Sequence, residues 1–490
     1  MLPPLVESNQ LSIGISSIVG LTALLVCLTV YFNSNSYKNK KQDDRPPVAP
    51  AGILKTVRSI GAKDAPFFVE EMAKKTGSDI YRIRLPLPYR VYVVGDPTTT
   101  REILLDKETD KPEATYESFD NIAGAKNMFT RRNDMKWHAS RKGTRNAFAS
   151  TEIHRMNRIC TEHVDQWIKN KLEHCIDTNE SFDPSHEMVR ITFGVILEAA
   201  FEFSATDEEY EHFSHHLEVA LKEFVLKGST NPFRKIFGPL LSEYRTAKKS
   251  CVHVQAFARK ILDAYRKNEN KSSNNTVIKL IVENESFADD KHRVAEIVTM
   301  LIAGHDTTGY TLGTTLMMLA KHPKVSEKLT AELLSMDVAN RSRSEYLRAV
   351  ITESQRLLPV AAMGSIRQVG REISCKGGSM VIPKDSIIFL PQFLLLRCPT
   401  VYKDPCSFRP ERWEDADKSM RDAFMNFSLG NRNCIGQSLA VAEMYSIIPT
   451  LLAKYSFEVE EEGELDYFLT LKYVGSKVKA SRVNSNPVQQ

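Results

Sequence analysis

The 490-residue sequence contains only eight cysteines, and no two of them form a C-x-x-C pair. This absence argues against a zinc ribbon and against a thioredoxin-like redox site. Eight dispersed cysteines are also too few for a disulfide scaffold, which favours a reducing compartment.

Blocks of charge are lacking as well. The formal net charge is +4, and no run of five or more like charges occurs. Nothing therefore indicates a nucleic-acid-binding protein.

An H-E-x-x-H sequence, typical of one class of zinc enzymes, is also absent. His212, His215 and His216 would share one helix face and could bind a metal, but their acidic neighbours favour a solvated amphipathic helix.

A long uncharged run is present near the N-terminus. Leu11–Phe32 contains no charged residue, and as a helix it would span about 33 Å, close to the roughly 30 Å hydrocarbon core of a membrane. Lys38, Lys40, Lys41 and Arg45 follow it, so the positive-inside rule predicts that the rest of the chain faces the cytosol. A cleaved signal peptide would need a basic start, a shorter apolar core and a small-residue cleavage site, and all three are missing.

The next stretch, RPPVAPAG at Arg45–Gly52, is rich in proline and predicts a stiff, extended linker. The sequence therefore predicts three parts: a membrane anchor over residues 1–32, a basic and proline-rich linker over 33–52, and a large folded domain over 53–490. With 42% hydrophobic residues in the chain, that last part can bury a large core.

Alternation with a period of two is confined to short stretches. Asp79–Pro97 alternates on both sides of a Pro-Leu-Pro sequence and predicts a hairpin, and Ser379–Pro391 predicts a further strand. Most of the remainder has helical periodicity, so we expect a mainly α fold with a small β lobe.

The longest predicted helix is His292–Lys321, and polar residues interrupt its apolar middle at Ala303–Thr308. Gly304 is unfavourable inside a helix, and Thr307 can bond to the carbonyl four residues earlier, so together they could loosen a turn and open a groove. Asp306 and Thr307 beside such a groove would suit proton delivery. The alternative is a core helix whose polar side chains only bond locally.

Glu353 and Arg356 lie one helical turn apart between apolar residues, so we expect a buried ion pair rather than the weak pair common on surfaces. A buried pair needs further polar partners. Arg412, in the sequence FRPERW, is the predicted third member.

The sequence FSLGNRNCIG, Phe427–Gly436, places the single Cys434 between glycines and close to Arg432. A helix is predicted directly after it at Gln437–Tyr455, and the N-terminal end of a helix favours a thiolate. A thiolate is a strong axial ligand for haem iron. A buried structural thiol and a surface thiol are the alternatives.

Trp137 and Arg141 lie one turn apart in the sequence WHASR. An indole donor and a guanidinium in this arrangement suit carboxylates such as the propionates of haem. An ordinary basic helix is the alternative interpretation.

Phe427, Gly430, Arg432, Cys434 and Gly436 fit the signature F-x-x-G-x-R-x-C-x-G, through which the chain resembles cytochrome P-450, the family of haem-thiolate monooxygenases. The resemblance extends from the proline-rich stretch to near the C-terminus, and the other motifs follow in the family's order. They are WHASR for W-x-x-x-R, AGHDTT for the oxygen-activation motif, Glu353 to Arg356 for E-x-x-R, and Arg412 for the arginine of P-E-R-F.

The resemblance implies a triangular, mostly helical fold with a small β lobe, and haem b held between the long helix and the cysteine loop. It implies that Cys434 is the proximal iron ligand and that Thr307 and Asp306 deliver protons to dioxygen. It further implies contacts to the haem propionates from Trp137, Arg141, Arg432 and Arg367. Other contacts to the haem would come from Phe427, Gly436 and Ala303. Structural support behind the cysteine loop would come from Glu353, Arg356 and Arg412.

Three positions depart from the family pattern. Trp413 stands where the family usually has Phe, and Leu396 stands where many members have His. Ala303 occupies the position at which some fatty-acid-hydroxylating members carry a Glu bonded to the haem, so no such covalent link is expected.

The resemblance also implies chemistry and partners. One oxygen atom of O2 would enter a lipophilic organic substrate, by hydroxylation or epoxidation, with electrons from an NADPH-dependent flavoprotein reductase or a cytochrome b5 type donor. NADPH and flavin would bind only to that partner, and the anchor would place the protein in the endoplasmic reticulum membrane, in contact with lipid. The alternatives are a haem-thiolate isomerase or dehydratase and a non-catalytic haem-binding protein; Asp306 and Thr307 favour the monooxygenase.

Two further sets of residues follow from family positions. Cationic residues around WHASR would form a docking face for an acidic reductase, or alternatively an ordinary solvated face: Arg131, Arg132, Lys136, Arg141, Lys142 and Arg145. Residues that would line the substrate pocket, or alternatively belong to the core, are Phe119, Met128, Ile302, Ala303, Ala361, Ala362 and Leu471.

Overall fold

The computed structural model describes residues 44–85, 89–228, 232–269, 274–287 and 289–483. The predicted anchor at Leu11–Phe32 and most of the predicted linker lie outside the described residues. Within the described ranges, no helix combines the length and the apolar character needed to cross a membrane.

Helices make up most of the described chain. In chain order they are α1 (Ile53–Ile60), α2 (Ala65–Thr76), α3 (Pro97–Leu105), α4 (Glu113–Ala123), α5 (Met135–Thr144), α6 (Ser150–Trp167), α7 (Glu173–Thr178), α8 (Pro184–Phe201), α9 (Asp207–Leu221), α10 (Pro232–Phe237), α11 (Ser242–Lys267), α12 (Val277–Glu283), α13 (Asp290–Lys321), α14 (Pro323–Ser335), α15 (Glu345–Leu357), α16 (Gln392–Leu395), α17 (Lys418–Ala423) and α18 (Gln437–Leu452). The strands are β1 (Ile80–Ile83), β2 (Val91–Val94), β3 (Ser365–Gln368), β4 (Ile373–Cys375), β5 (Met380–Ile382), β6 (Ile387–Leu390), β7 (Tyr455–Glu461), β8 (Glu464–Tyr467), β9 (Leu471–Val474) and β10 (Lys477–Arg482).

The largest sheet has the strand order β1-β2-β6-β3, with β2 and β6 parallel and the other neighbours antiparallel. The hairpin predicted over Asp79–Pro97 is confirmed, with Ile80 opposite Val94. The strand predicted at Ser379–Pro391 is instead divided into β5 and β6, because Asp385 adopts a left-handed conformation with φ 64 and turns the chain between them. The predicted mainly α fold with a small β lobe is confirmed.

The end of the predicted linker is part of the folded body. Arg82 of β1 donates a backbone hydrogen bond to Pro47 and accepts one from Ala49, both at 2.8 Å. Ala49 and Ala51 are 1% and 3% exposed. The end of the linker therefore packs on the folded body, because proline-rich backbone is extended and can pair with the edge of a strand.

The predicted helix His292–Lys321 corresponds to α13. Asp289 begins it by accepting a hydrogen bond from the backbone N–H of His292 at 2.8 Å, and Pro323 follows its last turn. With 32 residues the helix is about 48 Å long and passes through the middle of the main hydrophobic core.

Glycines allow α13 to approach α8 closely. A Cβ on Gly309 would lie 2.5 Å from the Cα of Val189, and a Cβ on Gly304 would lie 2.8 Å from the side chain of Ile196. The helix is continuous through residues 303–308, so the loosened turn expected at Gly304 is not present. The glycine instead makes room for the neighbouring helix.

Candidate active site

A cavity of about 360 Å³ lies between one face of α13 and the loop that precedes α18. The predicted site residues in its walls include Ala303, Thr307, Phe427, Cys434 and Gly436.

Hydrogen bonds hold the loop that carries Cys434. Gly430 adopts φ +70, a conformation that glycine tolerates best, and its carbonyl accepts a hydrogen bond from Asn433 at 3.2 Å. The backbone N–H of Cys434 donates to the carbonyl of Phe427 at 2.8 Å. Arg141 Nη2 donates to the carbonyl oxygen of Asn433 at 2.8 Å and to its Oδ1 at 2.5 Å. These bonds fix the loop with its thiol at the cavity.

The Cys434 side chain is accessible from the cavity, although protein surrounds it on its other sides. Burial raises the pKa of the Cys434 thiol, and the backbone N–H of Gly436 and the charge of Arg141 oppose this increase. The net direction differs from the expectation that the start of the helix would by itself favour a thiolate, because desolvation dominates. A metal ion would reverse the balance, since it deprotonates a coordinating thiol.

Four cationic side chains line the same cavity, namely Lys111, Arg141, Arg367 and Arg432. Burial lowers the pKa of Lys111 well below its ordinary value, and the charges of Arg367 and Arg432 lower it further. Burial also lowers the pKa of Arg432 to about 10, and Asp110, 3.6 Å away, opposes the decrease. This excess of buried positive charge is suited to a ligand with carboxylates, such as the two propionates of haem.

The N–H group of Trp137 is already used by the protein. Nε1 donates to the carbonyl of Met128 at 3.1 Å, so the indole has no second donor for a propionate. Trp137 instead supports Arg432, whose guanidinium carbon lies 3.8 Å from the ring centroid. Arg432 and Arg367 each retain N–H groups beyond those that bond to the protein.

Space for a flat ligand exists beside the cysteine loop. A Cβ on Gly436 would meet no atom closer than Phe148 at 3.9 Å. The cavity also has both the polar and the apolar surface that haem needs. It combines the Cys434 thiol and several cations with a helix face that carries only small side chains at Ala303 and Gly304. The residues present therefore fit haem b.

Thr307 lies in the cavity wall, whereas Asp306 lies behind it. Thr307 Oγ1 donates to the carbonyl of Ala303 at 2.8 Å, the local bond expected from the sequence. Asp306 is 6% exposed, and its Oδ1 lies 3.2 Å from His305 Nε2. Lys472 donates a hydrogen bond to the hydroxyl of a tyrosine on α13. Burial lowers the pKa of this lysine, and the nearby carboxylate of Asp306 opposes the decrease. Asp306 thus belongs to a buried polar group next to the cavity.

Glu353, Arg356 and Arg412 are brought together in the core. Arg356 donates to both carboxylate oxygens of Glu353, at 2.8 and 3.0 Å, and Arg412 Nε donates to one of them at 2.9 Å. The carbonyl of Leu396 accepts from Arg356 Nη1 at 2.9 Å. Because that contact uses the backbone of Leu396, a Leu in place of the family's His leaves it intact.

The residues expected in the substrate pocket divide into three groups. Met128, Ala303 and Ala361 line the cavity. Phe119 lines a second cavity of about 130 Å³, which shares lining residues with the first. The third group lies outside both cavities and consists of Ile302, Ala362 and Leu471. These residues are buried in the core, which was the alternative interpretation.

Two cavity residues were missed from the sequence. Lys111 is an isolated charge in no motif. Glu443 is fully buried, neither of its carboxylate oxygens has a hydrogen-bond partner within normal distance, and burial raises its pKa to about 8, with only a weak opposing effect from Thr308. A signal for Glu443 was present, because it lies at helical spacing from Leu439 and Ile447 on an apolar face.

The helical fold, the cysteine loop and the cation-lined cavity define a haem-thiolate protein. The family profile described as Cytochrome P450 matches residues 46–480, so the chain belongs to the cytochrome P450 family of haem-dependent monooxygenases. The expected haem b, O2, redox partner and lipophilic substrate are general properties of that family.

Individual relatives support this membership. Cytochrome P450 3A40 of Oryzias latipes is 24% identical over 455 residues, which cover 85% of this chain and 89% of the relative. Probable cytochrome P450 508D1 of Dictyostelium discoideum is 23% identical over 478 residues, 91% of this chain and 95% of the relative. Cytochrome P450 2S1 of Homo sapiens is 35% identical over 178 residues, 34% of this chain and 35% of the relative.

Proposed function

We propose that this chain is a membrane-anchored monooxygenase that hydroxylates or epoxidises a lipophilic substrate, with electrons from an NADPH-dependent flavoprotein reductase or a cytochrome b5 type donor. The observation that carries the proposal is one cavity that combines the Cys434 thiol, four cations and the Thr307 face of α13. When bound there, haem would supply the activation of dioxygen.

The chain's own residues would hold the reactants and supply protons. Cys434 would ligate the iron, and the cavity cations would hold the propionates. Apolar wall residues such as Ile196, Met300 and Val360 would bind a lipophilic substrate and exclude water. Thr307 Oγ1 has its own proton engaged by the carbonyl of Ala303, so its lone pairs can accept a further hydrogen bond on the cavity side.

The test of the site is the carbon monoxide difference spectrum of the reduced, haem-loaded protein. We expect a strongly red-shifted Soret band that Cys434→Ala abolishes. Cys406→Ala is the matched control, because Cys406 is an exposed cysteine outside the cavity, and it should keep the band. A folded, haem-loaded wild-type protein without the band would contradict the proposal. Substrate turnover without O2 and reductase would instead support an isomerase or dehydratase.

The proposed docking face for the redox partner is smaller than the sequence suggested. Arg132, Lys136, Lys142 and Arg145 are exposed before, on and after α5, whereas Arg141 is turned inward to bond Asn433. Arg131 is only 13% exposed at its side chain and lies 3.7 Å from Asp134, so it is less suited to contact a partner. Exposed cations on one helix are suited to steer an acidic partner.

The proposed location is the endoplasmic reticulum membrane, with a single span over residues 1–32 and the folded body in the cytosol. The sequon at Asn179 offers a test, because this residue is exposed at the end of α7. Asn426, in contrast, lines the cavity and donates to Gln355 at 3.3 Å. In cells we expect Asn179 to carry no glycan, and an endoglycosidase-sensitive glycan on it would contradict the orientation.

A further inference from the structure

Three histidines from two helices meet on the outer side of the α9–α11 pair. His212 and His216 lie one turn apart on α9, and His253 lies on α11. One ring nitrogen from each residue lies within 4.8 Å of the other two. The sequence pattern suggested His215 as a member, but His253 from the neighbouring helix completes the group instead.

The distance between two of the nitrogens matches that of ligands on one metal ion. His212 Nε2 and His216 Nε2 are 3.2 Å apart. Two nitrogens bound at about 2.0–2.1 Å to one tetrahedral Zn²⁺ would lie about 3.3 Å apart. The rings of His216 and His253 are stacked, with centroids 4.1 Å apart and planes 5° from parallel. Because a metal ion binds in the plane of each imidazole, His253 must rotate about its side-chain torsions to share the ion, and its exposed position on α11 allows this rotation.

A second contact orients one of the ligands. His216 Nδ1 lies 3.1 Å from Oγ of Ser250, a buried residue on α11. When Nδ1 carries the proton and donates it to Ser250, Nε2 keeps the lone pair that a metal requires.

The chemistry of the group selects the ion. Three neutral nitrogen ligands with an open position are typical of Zn²⁺ and suit Cu²⁺ and Ni²⁺, whereas Mg²⁺ and Ca²⁺ prefer oxygen ligands. Within the described part of the chain, the group contains no carboxylate. We propose that His212, His216 and His253 bind Zn²⁺ and that the ion links α9 to α11.

Such a link would act on the second cavity. The segment that follows α9 carries Val225 and Leu226, which line that cavity together with Phe119. An ion that holds α9 against α11 would restrict movement of this segment and hence of the cavity wall. The site does not depend on the haem chemistry, so its test is metal binding rather than turnover.

The experiment uses the full chain, haem-loaded and without an affinity tag, after removal of metals with a chelator. Equilibrium dialysis against buffered free Zn²⁺ from nanomolar to micromolar should give one bound ion per chain, measured by atomic absorption. We expect His212→Ala and His253→Ala each to weaken binding at least about tenfold, and Ser250→Ala to weaken it about tenfold. His215→Ala removes an exposed histidine of the same helix and should leave binding unchanged.

Equal Zn²⁺ binding by His212→Ala, His253→Ala and His215→Ala would overturn the site, as would no binding to the wild type. The link is tested by amide hydrogen exchange. Zn²⁺ should slow exchange in α9 and α11 of the wild type and not of His253→Ala. Binding without this protection would overturn the link between the helices. The carbon monoxide spectrum verifies that each variant is folded.

Discussion

Trp413 Nε1 donates a hydrogen bond to Glu353 Oε2 over 2.9 Å. Trp413 is also the position at which this chain departs from the Phe that is usual in the family. The indole N–H adds a fifth hydrogen bond to a carboxylate that already accepts three from Arg356 and Arg412 and one from the backbone of Arg409. A phenyl ring could pack in the same place but could not donate.

Trp413→Phe should therefore lower the free energy of unfolding by about 1.5–3 kcal/mol, the net contribution of a hydrogen bond to a charged group. Glu353→Gln should cost more, about 3–5 kcal/mol, because it leaves two buried guanidinium groups without a negative partner. Urea unfolding of the haem-loaded variants measures both. If Trp413→Phe were as stable as the wild type, the indole N–H would contribute nothing to the cluster.

Features governed by local chemistry were predictable from the sequence. The start of helix α13 was predicted within two residues, because the apolar periodicity of the helix is a local pattern and Pro323 follows its end directly. Arg412 could be named as a partner of Glu353 because a buried ion pair must satisfy its remaining lone pairs.

Features governed by distant contacts were not predictable. His253 joins His212 and His216 only because α9 packs on α11, and no local pattern signals it. Lys111 looks like any surface lysine, although it is buried in the cavity wall. The proline-rich stretch indicated extended backbone, yet only the folded body shows that this backbone pairs with Arg82 of β1.

Lys111→Met should raise the free energy of unfolding of the haem-free protein, because it removes a buried cation beside Arg367 and Arg432. The depressed pKa of Lys111 makes the wild-type haem-free protein more stable as pH rises toward the ordinary lysine value of 10.5, since only the unfolded chain then keeps the proton. Urea unfolding at several alkaline pH values should show this gain in the wild type and not in the variant.

The same substitution should speed haem release, because the propionates lose a cationic partner. Transfer of haem to an excess of an acceptor globin measures the rate. Lys55→Met, at an exposed position of α1, is the matched control for both measurements. A variant that releases haem no faster than this control would contradict a role for Lys111 at the propionates.

Glu443→Gln should stabilise the protein at neutral and mildly alkaline pH. The pKa of Glu443 rises from 4.5 to about 8 through burial, so between these values only the unfolded chain releases the proton. Wild-type stability should therefore fall by about 1.4 kcal/mol per pH unit across this window, and the variant should lack that slope. Thermal unfolding from pH 5 to pH 8 measures the difference. Glu285→Gln, at an exposed carboxyl, should behave like the wild type.

Charge reversal on α5 tests the docking face. Lys136→Glu with Lys142→Glu should lower reductase-supported turnover roughly tenfold at low ionic strength, because steering of an acidic partner is lost. The deficit should shrink at high salt. The carbon monoxide spectrum should be unchanged, and Lys55→Glu on α1 should turn over normally. Turnover of the double variant that matches this control at every salt concentration would remove α5 from the docking face.

Thr307 and Asp306 should contribute differently to proton delivery, because Thr307 lies in the cavity wall and Asp306 lies behind it. Thr307→Ala removes the cavity hydroxyl and should lower turnover by about 10²-fold and uncouple NADPH use from product formation, whereas Thr307→Ser should keep both. Asp306→Asn keeps the shape but cannot exchange a proton, so it should slow turnover and raise the solvent isotope effect.

Both substitutions should leave the carbon monoxide spectrum intact, since neither residue ligates the iron. Turnover, the ratio of product to NADPH and the solvent isotope effect distinguish the roles. Loss of turnover in Asp306→Asn without a larger isotope effect would assign this carboxylate to the contact with His305 rather than to proton supply. Full turnover and coupling in Thr307→Ala would contradict the proposed role of the Thr307 hydroxyl in proton delivery.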